Sequence, residues 1–320
     1  MSAAAVEEDR YRRIFRAAHA DHATCAADEW LDASCRSLDG TPADRPLVWS
    51  RRNGPWRRVD VLWVGAAPGN AGGLGSGSSG AHGTRIPFGG DIAGANLDVL
   101  LSSIGITRND TFIVASLNAL PARGGGEPTV AELAAPVGTY PDSIALLRDG
   151  VVASGPRLIV ALGLVALRSL GAALTGAYDA DVGAPVPRTE ALRLPSTARL
   201  AAAGLVRGTS MPWPGALALS DGFVGAWRDA WGSDAFHVLP LMHPSAQNMS
   251  PFARRDTLFH QRMLDARAAL VGAARNVLGY SIPDRRPPLP ADGIYALPEW
   301  RDPISSQHAR LDGLWRAHGV

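Results

Sequence analysis

The chain predicts an α/β fold of three layers, α/β/α, around a central four-stranded, mainly parallel sheet. Two observations carry this. The first is four short, continuous apolar runs, 59–64, 111–117, 157–162 and 236–242, separated by helical stretches. Uninterrupted apolar runs of strand length, alternating with helices, belong to parallel strands covered on both faces. The second is the residues directly after each run: Gly65-Ala66-Ala67-Pro68-Gly69, Asn118-Ala119-Leu120-Pro121, Gly163, and His243-Pro244-Ser245. In open α/β sheets the loops beyond the carboxyl ends of the strands converge, and ligands bind there. Residues from distant parts of the chain are therefore expected to share one crevice.

From the amino terminus, residues 6–38 carry a helical pattern (Tyr11, Ile14, Phe15, Ala18, then Trp30 and Leu31), and 1–45 reads as an N-terminal helical extension. Residues 46–278 read as the main domain, with insertions at 69–84, almost all Gly, Ser and Ala, and at 173–235. The length of the second, which holds Trp213, Trp227 and Trp231, suggests a subdomain or lid. Asp91 to Ile104 predicts a helix with Leu97, Leu100, Leu101 and Ile104 on one face. Helical signal returns at 140–153 and again, as a closing helix, at 258–278. Residues 279–320 read as a Pro-rich C-terminal extension, with 281–303 wrapping the surface.

Composition narrows the chemistry. A chain of 320 residues, 46% apolar, suits one large α/β domain with extensions or two small ones. The absence of a long apolar window and of a charged-then-apolar leader predicts a soluble, cytoplasmic protein with no membrane partner. Cys25 and Cys35 cannot build a four-thiolate site and read as free thiols in a reducing cytosol; no metal or other cofactor is expected. The net charge of +1 makes no global field for nucleic acid, so any basic footprint is local. All 31 basic residues are arginine, which excludes Schiff-base catalysis, pyridoxal anchoring and the P-loop lysine.

Several residues at the expected crevice suit a planar, polar ligand. Gly65-Ala66-Ala67-Pro68-Gly69 is a tight turn that offers backbone N–H groups, although an ordinary βα connection would look the same. Phe88, between Pro87 and two glycines, suits stacking or plain core packing; Asp91 suits a site or a helix N-cap. Asn118 presents an acceptor and a donor together, matching the N–H and C=O edge of a pyrimidine dione, or caps a turn. His243, leaving a strand into Pro244, is a donor poised for a developing negative charge near neutral pH. Arg254 and Arg255 suit phosphates or a solvated helix start. The loop Gly75-Ser76-Gly77-Ser78-Ser79-Gly80 matches G-x-G-x-x-G but neither follows a strand directly nor opens a helix, so a dinucleotide-dependent oxidoreductase is disfavoured.

The order GxxPG, PFxGD, an Asn after the next strand, then HPS resembles the uracil-DNA glycosylase superfamily. His82 to Gly94 and His243-Pro244-Ser245-Ala246-Gln247-Asn248 resemble its family-five branch; Pro156 to Gly163 is similar to families four and five. The resemblance covers roughly 55–275. It implies that Phe88 stacks on a flipped uracil, that His243 donates to uracil O2, and that Asp91 positions water. It also implies that Asn118 reads the base, although the register of families four and five puts Ala115 there. In other branches the first motif carries Asp, Glu or Asn where this chain has Ala66 and Ala67.

The resemblance implies a monofunctional DNA glycosylase that extrudes uracil from DNA and hydrolyses its N-glycosidic bond, initiating base-excision repair. Ala66, Ala67 and Gly69 line the base site with Phe88 and Asn118. Ser245, Gln247, Asn248, Met249, Arg254 and Arg255 meet DNA, Met249 or Phe252 as the wedge and the arginines on phosphates. Arg52, Arg57 and Arg58 are further phosphate candidates. Uracil-containing DNA is the expected partner and a monomer the expected state. Two alternatives stand beside this: a non-catalytic or product-binding DNA-binding paralogue, and a glycosylase for another deaminated base.

Overall fold

Each of the four apolar runs forms a strand: Val61–Gly65 (β1), Phe112–Ala115 (β2), Leu158–Leu162 (β3) and, after a further two-residue strand Met211–Pro212 (β4), His237–Leu241 (β5). The computed structural model describes residues 58–67, 88, 92–117, 127–136, 140–176, 211–212, 219–232, 236–244, 256–282 and 298–318. The expected N-terminal helix, both cysteines and the Gly/Ser loop lie outside these residues. The sheet runs in the order β2-β1-β3-β5-β4, and its first four strands are all parallel. The fifth, β4, is antiparallel to β5 and pairs only with Val238 and His237. Pro240 thus lies past the end of β4, where a missing N–H breaks no ladder.

Alternation along the strands divides the core in two. Val61 and Trp63 face one side with Ile113, Leu158, Val160 and Leu162; Leu62 and Val64 face the other with Phe112, Ile159 and Ala161. The first side is covered by Ile92–Ser103 (α1) and two helices from later in the chain. The second is covered by Val130–Leu133 (α2), Ser143–Ser154 (α3), Leu164–Thr175 (α4) and Asp221–Trp231 (α5). The two later helices are Asp256–Ala273 (α6), which runs into a π turn at Ala274–Leu278, and Pro298–Ala317 (α7). Local chemistry sets the ends: Asp142 caps α3 by accepting from the Ala145 N–H at 2.7 Å, and Ser220 caps α5.

Two elements differ from expectation. Helix α5 falls within the stretch read as a subdomain or lid, yet it is part of the core layer. Phe223 and Trp227 are buried against Phe236, with ring centroids 5.3–5.9 Å apart, and each buried ring contributes about 1.5–3 kcal/mol. The other difference is α7, whose start and Pro303 fall in the region read as a surface wrap. Proline density hid it, although Pro at the first helical position is favourable. Leu311, Leu314 and Trp315 bury one face of α7 beneath α1 and α6. Among the described residues no helix is long and apolar enough to cross a membrane.

Strand order fixes where a ligand can sit. After β1 the chain goes to α1 on one face; after β3 it turns at Gly163 into α4 on the other. Adjacent strands whose following helices part to opposite faces leave a crevice between their carboxyl ends.

Candidate active site

The crevice between β1 and β3 holds two rings. Phe88 and His243 lie with centroids 5.6 Å apart and planes inclined at 38°. Both are half-buried. Each rests on a glycine at a strand end: a Cβ on Gly65 would stand 3.3 Å from the edge of the Phe88 ring, and one on Gly163 would stand 3.2 Å from the His243 Cβ. These glycines let the rings approach the backbone closely. The Gly163 N–H donates to the Leu241 carbonyl at 2.8 Å, so β5 delivers His243 beside β3.

Phe88 holds a left-handed backbone, φ 54°, the sole non-glycine among the described residues to do so. A non-glycine residue held this way costs of order 1–3 kcal/mol, and such strain clusters at functional sites. The surroundings over-determine it. Arg108 Nη2 donates to the Phe88 carbonyl at 2.8 Å and to the Gly94 carbonyl at 3.3 Å, while its Nε donates to Asp98 Oδ1 at 2.5 Å. Gly94 admits the turn because it has no Cβ; an added one would lie 1.9 Å from the Phe88 oxygen.

The carboxyl end of β1 is held to that of β2. Ser116 Oγ and the Ser116 N–H both donate to the Gly65 carbonyl, at 3.0 and 2.9 Å, and the Leu117 N–H donates to the Ala66 carbonyl at 3.0 Å. The methyl-bearing Ala66 and Ala67 are half-buried. Ala115 is a buried end residue of β2, paired with Gly65. At the lip, Leu164 and Met242 are exposed, 45% and 40%, at the ends of neighbouring strands. Neither stood out in the sequence, because each simply continues an apolar run.

Of the residues expected at the site, Phe88 and His243 are brought together, and Ala66 and Ala67 directly follow the Gly65 on which the Phe88 ring rests. Gly69, Asp91, Asn118, Ser245, Gln247, Asn248, Met249, Arg254 and Arg255 lie outside the described residues, as do Phe252, Arg52 and Arg57. Arg58 is a correction. It precedes β1 and so stands at the amino end of the sheet, a strand's length from the crevice. Its Nε donates to the Gly155 carbonyl, and its guanidinium lies 5.7 and 5.4 Å from the Trp227 and Trp231 ring centroids. Arg58 locks α5 to the sheet and is not positioned to meet phosphate at the site.

The perturbed titrations also lie at that amino end. Burial, then the hydrogen bond to Asp60, pushes the Tyr280 phenol well above its ordinary value. Burial, then the Arg157 charge, holds the His237 imidazole below its own. Among the described residues no cluster of His, Cys, Asp and Glu could hold a metal ion.

Sequence reading missed Asn96, Asp98 and Arg108, which hold the site from behind. They read as helix and turn polarity, and only their burial marks them. The crevice itself can press a flat ligand against one ring and donate to its edge from the other. A family model, the uracil DNA glycosylase superfamily, matches residues 53–267, which include both rings and all four parallel strands. No individual curated protein matches the chain. By this match the chain belongs to the uracil-DNA glycosylase superfamily, a family of glycosidases that act on DNA in base-excision repair.

Proposed function

We propose that this chain is a monofunctional uracil-DNA glycosylase that works without a cofactor. The observation that carries the reading is the Phe88–His243 pair over a glycine floor at the sheet's switch point. Ring centroids 5.6 Å apart are those of a direct aromatic pair, with no room for a base between them. The base instead lies across the Phe88 face, with its edge toward His243.

Uracil inside a duplex is out of reach, so the nucleotide swings into the crevice at a cost of a few kcal/mol, less for U·G or single strands. Asn118 accepts from N3–H and donates to O4. Cytosine reverses that pattern, which leaves buried polar groups unpaired and excludes it. As the C1′–N1 bond breaks, its electron pair goes to the base. His243 donates to the developing negative charge at O2, helped by N–H groups of the turn through Ala66, Ala67 and Gly69. Asp91 opposes the positive sugar and orients the water whose oxygen bonds to C1′; the proton lost from that water balances the departing uracil anion. Leu164 and Met242 supply apolar contact at the mouth. Ser245, Gln247, Asn248 and Met249 engage the strand, and Arg254 and Arg255 its phosphates. With no lysine in the chain, no side-chain imine to the sugar forms, so the strand stays intact. The resemblance favours the family-five branch, and we read the enzyme as a cytoplasmic monomer.

The test is uracil release from a labelled oligonucleotide, single-stranded, U·A and U·G, read before and after alkali. Breakage only after alkali, falling on the order of 10²–10³ in His243→Ala and steeply in Asp91→Asn, is the expected result. Breakage before alkali would overturn the monofunctional assignment. No breakage on any uracil substrate would overturn the uracil assignment and leave another base, or DNA binding without cleavage.

A further inference from the structure

Two lines of buried polar groups run from α7 to the backbone on either side of the crevice. In the first, Gln307 Nε2 donates to Asn96 Oδ1 at 2.8 Å, and Asn96 Nδ2 donates to the Pro244 carbonyl at 2.7 Å. Gln307, Asn96 and Pro244 are all buried. A proline carbonyl only accepts, so Asn96 must turn its NH₂ toward it. The Asn96 oxygen then faces Gln307, which must present its own NH₂. A single acceptor thus orders both amides, and they hold the residue that directly follows His243.

In the second, His308 Nε2 stands 3.6 Å from Asp98 Oδ2, too far for a hydrogen bond, with side-chain exposures of 8% and 6%. The other Asp98 oxygen accepts from Arg108 Nε at 2.5 Å, and Arg108 Nη2 donates to the Phe88 carbonyl at 2.8 Å. Consecutive residues of one helix therefore stand behind both sides of the crevice, Gln307 through hydrogen bonds and His308 packed beside Asp98. Apolar contact alone would dock α7, through Leu311, Leu314 and Trp315. Buried polar groups in such a contact are often replaceable by apolar ones without loss of stability. Here the chain from Gln307 ends on a backbone atom of the site, and the Asp98 beside His308 holds the Arg108 that ends on another. The family match covers 53–267, which includes the rings but not the helix that holds them.

We propose that Gln307 and His308 are positioning residues, and that α7 sets the spacing and tilt of the Phe88–His243 pair. The kinetic side of this rests on the glycosylase reading above; the geometric side does not. Gln307→Glu keeps the shape but replaces the donor with an acceptor that faces the Asn96 oxygen. Asn96 relieves that by flipping, which turns its oxygen onto the Pro244 carbonyl, and the introduced carboxylate relieves it by taking up a proton, which makes the site's rate depend on pH. Misplacing a reacting group by about 1 Å costs up to about 100-fold. The single-turnover rate of uracil release at saturating enzyme, per folded molecule, is therefore expected to fall about tenfold to a hundredfold. Gln307→Met, which keeps the volume but removes the amide, falls less and carries the test if Gln307→Glu does not fold. His308→Leu, which replaces the ring beside Asp98 with an apolar side chain, lowers the rate by a smaller factor.

The second readout needs no substrate. The His243 imidazole NMR signals, assigned by their loss in His243→Ala, sense the nearby Phe88 ring and shift in the Gln307 and His308→Leu variants. Wild-type rates per folded molecule together with unmoved His243 signals would overturn the proposal and leave α7 a docking helix. If the wild-type protein releases no uracil, the glycosylase reading fails by itself, and the NMR shifts alone decide the positioning role.

Discussion

Gly94→Ala separates the geometry of this site from ordinary helix energetics. Gly94 lies in the first turn of α1, and helix propensity alone predicts that alanine stabilises the protein by about 1 kcal/mol. The structure predicts the opposite. An alanine Cβ would lie 1.9 Å from the Phe88 oxygen and 2.9 Å from its carbonyl carbon. Both atoms are backbone, so no side chain can swing aside. Reaching even a 3.0 Å separation requires the turn to retreat by about 1.1 Å. That movement breaks the Arg108 bond to the Phe88 carbonyl, a charge-assisted bond of about 1.5–3 kcal/mol. Set against the propensity gain, the net loss is about 0.5–2 kcal/mol. At about 2–4 °C per kcal/mol in a domain of this size, Tm falls by a few degrees. The same shift carries the Phe88 ring off its position, so the uracil-release rate falls by about 100-fold. Gly65→Ala is the matched comparison: its Cβ meets only the edge of the ring at 3.3 Å, which yields by tenths of an ångström, and it costs less than about tenfold. The assay is thermal denaturation beside single-turnover release on the same preparations. A Gly94→Ala protein with raised Tm and full activity would refute the reasoning.

Two further predictions concern the amino end of the sheet. Arg58→Ala loses the contacts to Trp227, Trp231 and the Gly155 carbonyl, and is expected to destabilise by about 1–3 kcal/mol. The slope of DNA affinity against salt should not change; a slope reduced by about one ion would return Arg58 to the phosphate-binding set. His237 gives a pH dependence. Its folded pKa lies below the unfolded value of about 6.5. Above that pH both states are neutral. Below it the unfolded chain takes the proton first, so stability is lost as pH falls toward the folded pKa. Wild-type Tm should drop more than that of His237→Leu between about pH 7.5 and 5.5, and equal drops would remove His237 as the cause.

The strands, their direction and the end of the sheet that matters are all legible in one dimension. A run such as Leu158–Leu162 is apolar at every position because both of its faces are buried. Phe88 and His243 are legible too, since an aromatic between glycines and a His before Pro stand out against their neighbours. Relations across long separations emerge only when the chain is folded. Trp227 reads as part of an insertion until Phe223, Phe236 and Arg58 are seen around it. Asn96 and Asp98 lie off the apolar face that marks their helix in the sequence, yet they are buried because α7, some two hundred residues on, covers them. Periodicity reports which residues one element must hide, but not which element hides them. Burial of a polar group depends on the partner that satisfies it, and here the partners come from the far end of the chain.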